Sequence, residues 1–211
     1  MKKLIIGFIL NLVCGSLLAQ YSFERHSVLI DWGTGVGIYK LTASSNGNSS
    51  SFIGGQFITP LDFEYGLTER IGVGLRIEPG FASNDSTKES FKSSNAGIKV
   101  YYHFLNFKRT TIFLSTGLNG ASCKFNRPSD STSIAGKGSN FQLGLGLRRY
   151  IWRETIGFFI KAEISNYSFT KWKNESKIKA INQAFLDNYK LKANGLHFSV
   201  GLAIQIKAFI K

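Results

Sequence analysis

The chain has little of what marks most other protein classes. It carries two cysteines, Cys14 and Cys123, and three prolines, Pro60, Pro79 and Pro128. So few cysteines exclude a framework of several disulfides. Beyond the first residues, no stretch is apolar enough for a spanning helix, which needs about 20 such residues. Metal-ligand spacing and nucleotide motifs are absent too. The glycines alternate along apolar segments and do not form a G-x-G-x-x-G turn ahead of a helix, so neither cofactor nor metal is expected. Acidic residues are scarce: 13 Asp and Glu face 26 Lys and Arg, for a net charge of +13.

What is present begins with an export signal. Met1-Lys2-Lys3 precedes an apolar run from Leu4 to Val13, and Ser16-Leu17-Leu18-Ala19 places a small residue before Gln20. This is the pattern of a secretory signal peptide over 1–19, leaving one domain over 20–211. Cys14 falls in the discarded part, because Asn11-Leu12-Val13 is a poor lipobox, and Cys123 is then alone. Removal of Lys2 and Lys3 lowers the charge to +11. A basic chain first suggests nucleic acid. Export argues against that, and points to anionic headgroups or lipopolysaccharide phosphates as partners.

The rest is one pattern repeated eight times. In Phe141-Gln142-Leu143-Gly144-Leu145-Gly146-Leu147-Arg148, one face is Phe and Leu, while the other is Gln, Gly and Arg. Such a strand lies between an apolar outside and a polar interior. Strands are predicted over 27–42, 52–67, 71–82, 95–105, 111–123, 140–152, 156–170 and 195–210. The connections between them alternate long and short: 44–51, 83–94, 124–139 and 171–194 are long and polar. The expectation is an all-β, eight-stranded antiparallel up-and-down transmembrane β-barrel, monomeric, in the outer membrane of a Gram-negative cell. Leu145 should face lipid, and Gln142 should tolerate polar replacement. A soluble barrel of the lipocalin type is the inside-out alternative, with the aliphatic face inward around a ligand.

The inward positions predict a charge network of Asp31, Asp62, Glu64, Glu78 and Glu163 with Arg76, Lys99, Arg148, Lys161 and Lys207. Acids and bases balance, as an enclosed set must, since buried charge is costly unless paired. Eight strands enclose a space just wide enough for their own side chains. A filled lumen follows, and the excess positive charge belongs to loops and strand ends. A narrow ion path, as in a small porin or a secretion-associated barrel, is the alternative use of these charges.

Glu64-Tyr65-Gly66-Leu67-Thr68-Glu69-Arg70-Ile71-Gly72-Val73-Gly74 resembles the strand–turn–strand of small outer-membrane barrels, and Ser16-Leu17-Leu18-Ala19-Gln20 is similar to signal peptides of Bacteroidota. The chain thus resembles the OmpX/OmpA-type "outer membrane protein beta-barrel domain", or "porin family", over nearly all of its mature length. It departs at Phe209-Ile210-Lys211, where such barrels usually end on an aromatic residue. The resemblance implies membrane location and an envelope-structural or adhesion role, and supplies no catalytic set.

Three further candidates remain. In the last connection, Ile178, Ile181, Phe185 and Tyr189 fall at helical intervals over 175–190, so an amphipathic helix at the barrel mouth is predicted, capped by Asn174 or Ser176. Its stripe could pack over the mouth or meet a lipid, an extracellular protein or another surface ligand. Lys171, Lys173 and Lys177 beside it suit lipopolysaccharide phosphates. His197-Phe198-Ser199 puts a His and a Ser on one strand face, with Glu163 available to orient the imidazole. That spacing resembles lipid A deacylases of the PagL type, although those need a site open to lipid. Trp32, Trp152 and Trp172 suggest interfacial belts. The reading is a non-enzymatic barrel with a filled lumen and a ligand-binding or adhesive outer end; a pore and a lipid A-modifying enzyme are the rivals.

Overall fold

The computed structural model describes residues 22–84, 88–152, 154–176 and 183–207. The signal segment 1–19 and the side chains of Lys177, Ile178 and Ile181 lie outside the described residues.

Nine antiparallel strands form one sheet. They are β1 (Val28–Ser45), β2 (Asn48–Ile58), β3 (Leu61–Gly66), β4 (Ile71–Asn84), β5 (Glu89–Phe107), β6 (Thr110–Arg127), β7 (Thr132–Trp152), β8 (Ile156–Asn174) and β9 (Lys190–Ile206). β1 pairs with β9 from Val28↔Ile206 to Ser44↔Lys190, which closes the ring. β2 and β3 together make one stave of an eight-stave barrel. They are separated at Thr59-Pro60, because proline has no N–H for a ladder. The Pro60 carbonyl still accepts from the Gly33 amide at 3.1 Å, and Thr59 N–H donates to the Pro79 carbonyl at 3.0 Å.

The polar connections are shorter than their composition suggests. Ser44–Ser51 is no loop: β1 and β2 run on to a two-residue tip at Asn46-Gly47, with φ of 50° and 82°. Both residues have the positive φ that a tight type I′ hairpin turn requires. β4 and β5 likewise extend to Asn84 and from Glu89, and β6 and β7 reach Arg127 and Thr132 around a 3-10 turn. Ladder hydrogen bonds need only backbone, so strands continue past the membrane where both faces are polar. In the last connection a single turn of helix, α1 (Gln183–Asp187), stands in the described part of the predicted 175–190 helix.

The apolar face points outward. Trp32, Ile98, Leu118, Leu145 and Leu202 are 49–71 % exposed, while their strand neighbours are buried or half-buried. An exposed apolar belt around the whole ring is a lipid-facing surface. The inside-out alternative is therefore set aside, since the charges lie inside. Trp172 is the exception among the tryptophans: it faces inward and is 7 % exposed, so it belongs to no belt.

The first and last described residues, Ser22 and Lys207, and the short turns share one end, called here the near end. There the segment from Ser22 tucks into the barrel. Asn106 holds it by accepting from Phe23 N–H (2.9 Å) and donating to the Phe23 carbonyl (2.8 Å), and Phe23 stacks on His103 at 3.7 Å. Above this stopper, glycines make room for large inward rings. A Cβ at Gly146 would lie 2.2 Å from the Phe113 ring, which is fully buried. Gly146→Ala should therefore cost about 1–3 kcal/mol by overpacking, read as a lower urea midpoint for unfolding from vesicles.

Candidate functional site

The lumen is built in layers. The middle layer holds Asp31, Asp62, Glu64, Glu78 and Glu163 with Arg76, Lys99, Arg148 and Lys161, each at most 2 % exposed. Strand alternation brings them inward at matched register: Asp62 lies opposite Arg76, and Asp31 opposite Asp62. Arg76 is the hub. Its guanidinium meets Asp62 at 3.0 Å, Glu163 at 2.6 Å and Glu78 at 3.3 Å. Arg148 binds Asp31 at 2.9 Å and Glu64 at 2.7 Å. Lys161 joins Asp31 (2.8 Å) and Asp62, and Lys99 joins Glu163. Phe113 lies under the Arg148 guanidinium at 4.2 Å, and Phe159 under the Lys161 ammonium at 4.4 Å.

Lys207 is not among them. It sits at the near end, part-exposed, and its ammonium donates to Glu24 at 2.7 Å and Glu154 at 3.2 Å. Burial works against its charge, but those two hydrogen bonds outweigh it and hold its pKa above the ordinary lysine value. Four cations therefore face five carboxylates in the layer. His103, which the charge count omitted, donates from Nε2 to Glu64 at 2.6 Å, with Thr111 Oγ1 2.9 Å from its other ring nitrogen. Gln142 is also a member: its carbonyl accepts from Arg76 at 2.9 Å and Asn119 at 3.3 Å, and its amide donates to Glu78 at 3.3 Å. The signal for both was their inward parity, shared with the charges.

His197, Ser199 and Glu163 form no triad. His197 Nε2 is hydrogen-bonded to the Tyr39 hydroxyl, and its Nδ1 is 3.6 Å from Glu78, beyond hydrogen-bond reach. Glu163 is engaged by Arg76 and Lys99. Ser199 Oγ has no hydrogen-bond partner among the described residues, and all three side chains are buried inside the barrel. Glu78, Glu163 and His197 do bring ligand-type atoms within 4.8 Å of one another. A cation there would press on the Arg76 guanidinium that both carboxylates already bind, so the donor set does not fit a metal.

Above the charges the lumen turns aromatic, then opens into a cup at the far end. Tyr39, Tyr167 and His197 contact one another by their rings. Over them Cys123, Phe169, Trp172, Leu186 and Leu191 form an apolar cluster. The cup is a cavity of about 480 Å³. Its walls include Leu41, Phe52, Phe91, Phe125, Ile134 and Trp172, and Phe185, Leu186 and Tyr189 of α1 and its flank close in from the last connection. Few of the lining residues are legible as a group, because they come from eight strands and one helix. Burial pushes the Cys123 thiol out of reach of the reactive thiolate form, since the side chain is 4 % exposed.

Around the far end, lysines point outward just above the apolar belt: Lys40, Lys92, Lys124, Lys137, Lys171, Lys173 and Lys192 are exposed. Lys92 lies directly opposite Lys124, and Lys137 opposite Lys171. Like charges in direct register repel. Lys124 meets one carboxylate, Glu175, at 2.6 Å, and that hydrogen bond holds the Glu175 pKa below the usual range.

No family model matches the sequence, and no curated protein matches it. Solved structures do. The outer membrane protein OprG from Pseudomonas aeruginosa superposes with a TM-score of 0.57 at 12 % identity, over 90 % of this chain and 100 % of that one. Weaker matches are Ail, the attachment invasion locus protein of Yersinia pestis (0.40, 13 % identity, 86 % and 100 % covered), and the outer membrane protease OmpT from Escherichia coli (0.45, 8 %, 89 % and 99 %). At these identities the likeness is one of fold: a small outer-membrane β-barrel.

Proposed function

We propose that the chain is a non-conducting, non-enzymatic barrel of the outer membrane that binds an apolar ligand in the cup at its extracellular end. The observation that carries this reading is an apolar cavity seated on a fully ion-paired floor. A cavity of about 300–1,000 Å³ with apolar walls is the ordinary shape of a small-molecule site. A floor of paired, buried charges leaves water and ions no continuous path. Location in the outer membrane is supported by the export pattern at 1–19 and by the lipid-facing belt. The lysine collar supports seating among lipopolysaccharide phosphates, which would relieve the Lys92–Lys124 and Lys137–Lys171 repulsions. Ligand binding is favoured over adhesion by extended loops, since β1–β2 and β6–β7 join by short turns at Asn46-Gly47 and 128–131.

Three measurements test it. The protein in planar bilayers should show no steady conductance. For binding, Trp172 serves as reporter once the lipid-facing Trp32 and Trp152 are replaced by phenylalanine. Water-soluble 6-bromohexanol should then quench Trp172 emission saturably, and Phe91→Arg, which puts a cation into the cup, should abolish the saturable part. Stable conductance, or quenching unaffected by Phe91→Arg, would overturn the reading. His197→Ala is expected to leave lipid A unchanged in mass, whereas a deacylase would lose its product.

A further inference from the structure

The barrel wall is not continuous at the level of the cup. β2 and β4 are neighbours in the ring, yet they pair at only two positions, Phe57↔Phe81 and Ile58↔Gly80. Below this, β3 continues the pairing with β4 from Leu61↔Ile77 to Gly66↔Gly72. Above it, β2 runs nine residues further while bonded to β1 alone, from Gln56↔Gly37 to Asn48↔Ser45. β4 above Phe81 is bonded to β5 alone. The two strands part there and share no ladder among the described residues, so the wall has a seam that starts at Phe57/Phe81 and opens toward the far end.

The cavity reaches into that seam. Its walls include Gly54, Gly55 and Gln56 on the β2 bank and Ala82 and Phe91 on the other. Gly55 has the parity of the lipid-facing Ile53 and Phe57, which are 80 % and 51 % exposed. A residue of the outer face that also lines the inner cavity marks a passage through the wall. A Cβ built on Gly55 would find only the Gly37 carbonyl oxygen within 4 Å, at 3.6 Å, so no described side chain fills the passage at this position. The lower lip is tied from within by Gln56, which donates to the Tyr39 hydroxyl at 3.0 Å and accepts from Ser93 at 3.1 Å. The outer lip is apolar, with Phe57 and Phe81 half exposed to the belt. Just outside, a lysine flanks each bank: Lys40 lies opposite Ile53, and Lys92 opposite Phe81. Both are exposed.

We infer that the cup takes a hydrocarbon chain of an anionic lipid from the outer leaflet, which enters sideways through the β2–β4 seam while Lys40 and Lys92 hold its headgroup outside. An apolar passage at the top of the lipid-facing belt, between two cations, matches an acyl chain joined to an anionic head at the membrane surface. Entry from the bilayer also spares the chain a passage through water. The inference rests on the cup being a ligand site and adds its source and route.

The test uses the full-length protein with Trp172 as its only tryptophan, in vesicles of phosphatidylglycerol brominated along the acyl chain. Trp172 should lose most of its emission relative to vesicles of the unbrominated lipid. Gly55→Phe should restore it by filling the seam from outside, with Gly55→Leu as a second blocking variant, each confirmed as folded by heat-modifiable gel migration. 6-Bromohexanol should still quench both blocked variants through the open mouth. Lys40→Gln with Lys92→Gln should weaken quenching in brominated phosphatidylglycerol and leave that in brominated phosphatidylcholine unchanged. Quenching by bromohexanol but not by brominated lipid would overturn lateral entry while leaving the cup a ligand site. Equal lipid quenching in the blocked and unblocked proteins would also overturn it. Quenching by neither agent would remove the ligand site itself.

Discussion

Arg76→Met should be the most damaging single change in the barrel, lowering stability by about 3–5 kcal/mol or preventing insertion altogether. The reason is what it leaves behind. Arg76 is fully buried and contacts three carboxylates, Asp62, Glu78 and Glu163. Lys161 still reaches Asp62 and Lys99 still reaches Glu163, but Glu78 loses the one arginine or lysine that meets it among the described residues, keeping only a His197 nitrogen at 3.6 Å. An uncompensated carboxylate in the lumen costs far more than the volume change, because methionine roughly fills the stem of arginine. Unfolding from vesicles in urea, followed by gel migration, reads the loss. Adding Glu78→Gln to Arg76→Met should recover part of it, since that removes the stranded charge. No recovery would mean that the cost is one of packing.

The second large effect is expected on the opposite face. Leu145 is 49 % exposed within the apolar belt, near the middle of β7. Leu145→Arg should cost about 2–4 kcal/mol, the depth-dependent price of arginine near the bilayer midplane. Three residues away in the chain, Gln142 faces inward, where sequence reasoning expects polar replacements to be tolerated. An apolar replacement is another matter: Gln142→Leu removes the acceptor of the Asn119 amide and one of the acceptors of Arg76 and should cost about 1–3 kcal/mol. The two variants differ in how they respond to the bilayer. The Leu145→Arg penalty should shrink in thinner bilayers, where the arginine reaches an interface, whereas the Gln142→Leu penalty should not move.

The contrast between these positions shows what a sequence of this kind displays and what it hides. The alternation around Phe141–Arg148 reports which face meets lipid because one face is uniformly apolar, and the same parity delivers the buried charges from Asp31 to Glu163. It fails where both faces are polar. Ser44–Ser51 reads as a loop but is a hairpin, because its order comes from ladder bonds that leave no mark in side-chain polarity. Parity turns Gln142 and His103 inward but does not name their ionic partners, since Arg76 and Glu64 lie 66 and 39 residues away. Lys207 shows the reverse error: it has a charge near a strand, but lies just past the last residue of β9. The cup is assembled from a few residues of each of eight strands, and the seam from a ladder missing above Phe57 and Phe81, so neither has a local signature.

The layering of the lumen also divides the chain by what evolution can change. Side chains of the charged floor constrain one another, so substitution at Arg76 or Glu163 needs a simultaneous partner change, and lineages should hold these positions nearly fixed. Residues such as Phe52, Phe91 and Phe185 touch the cavity but none of the floor's ion pairs. They are free to drift with whatever the cup is selected to hold, so related chains should share a frozen floor beneath a rapidly diversifying mouth.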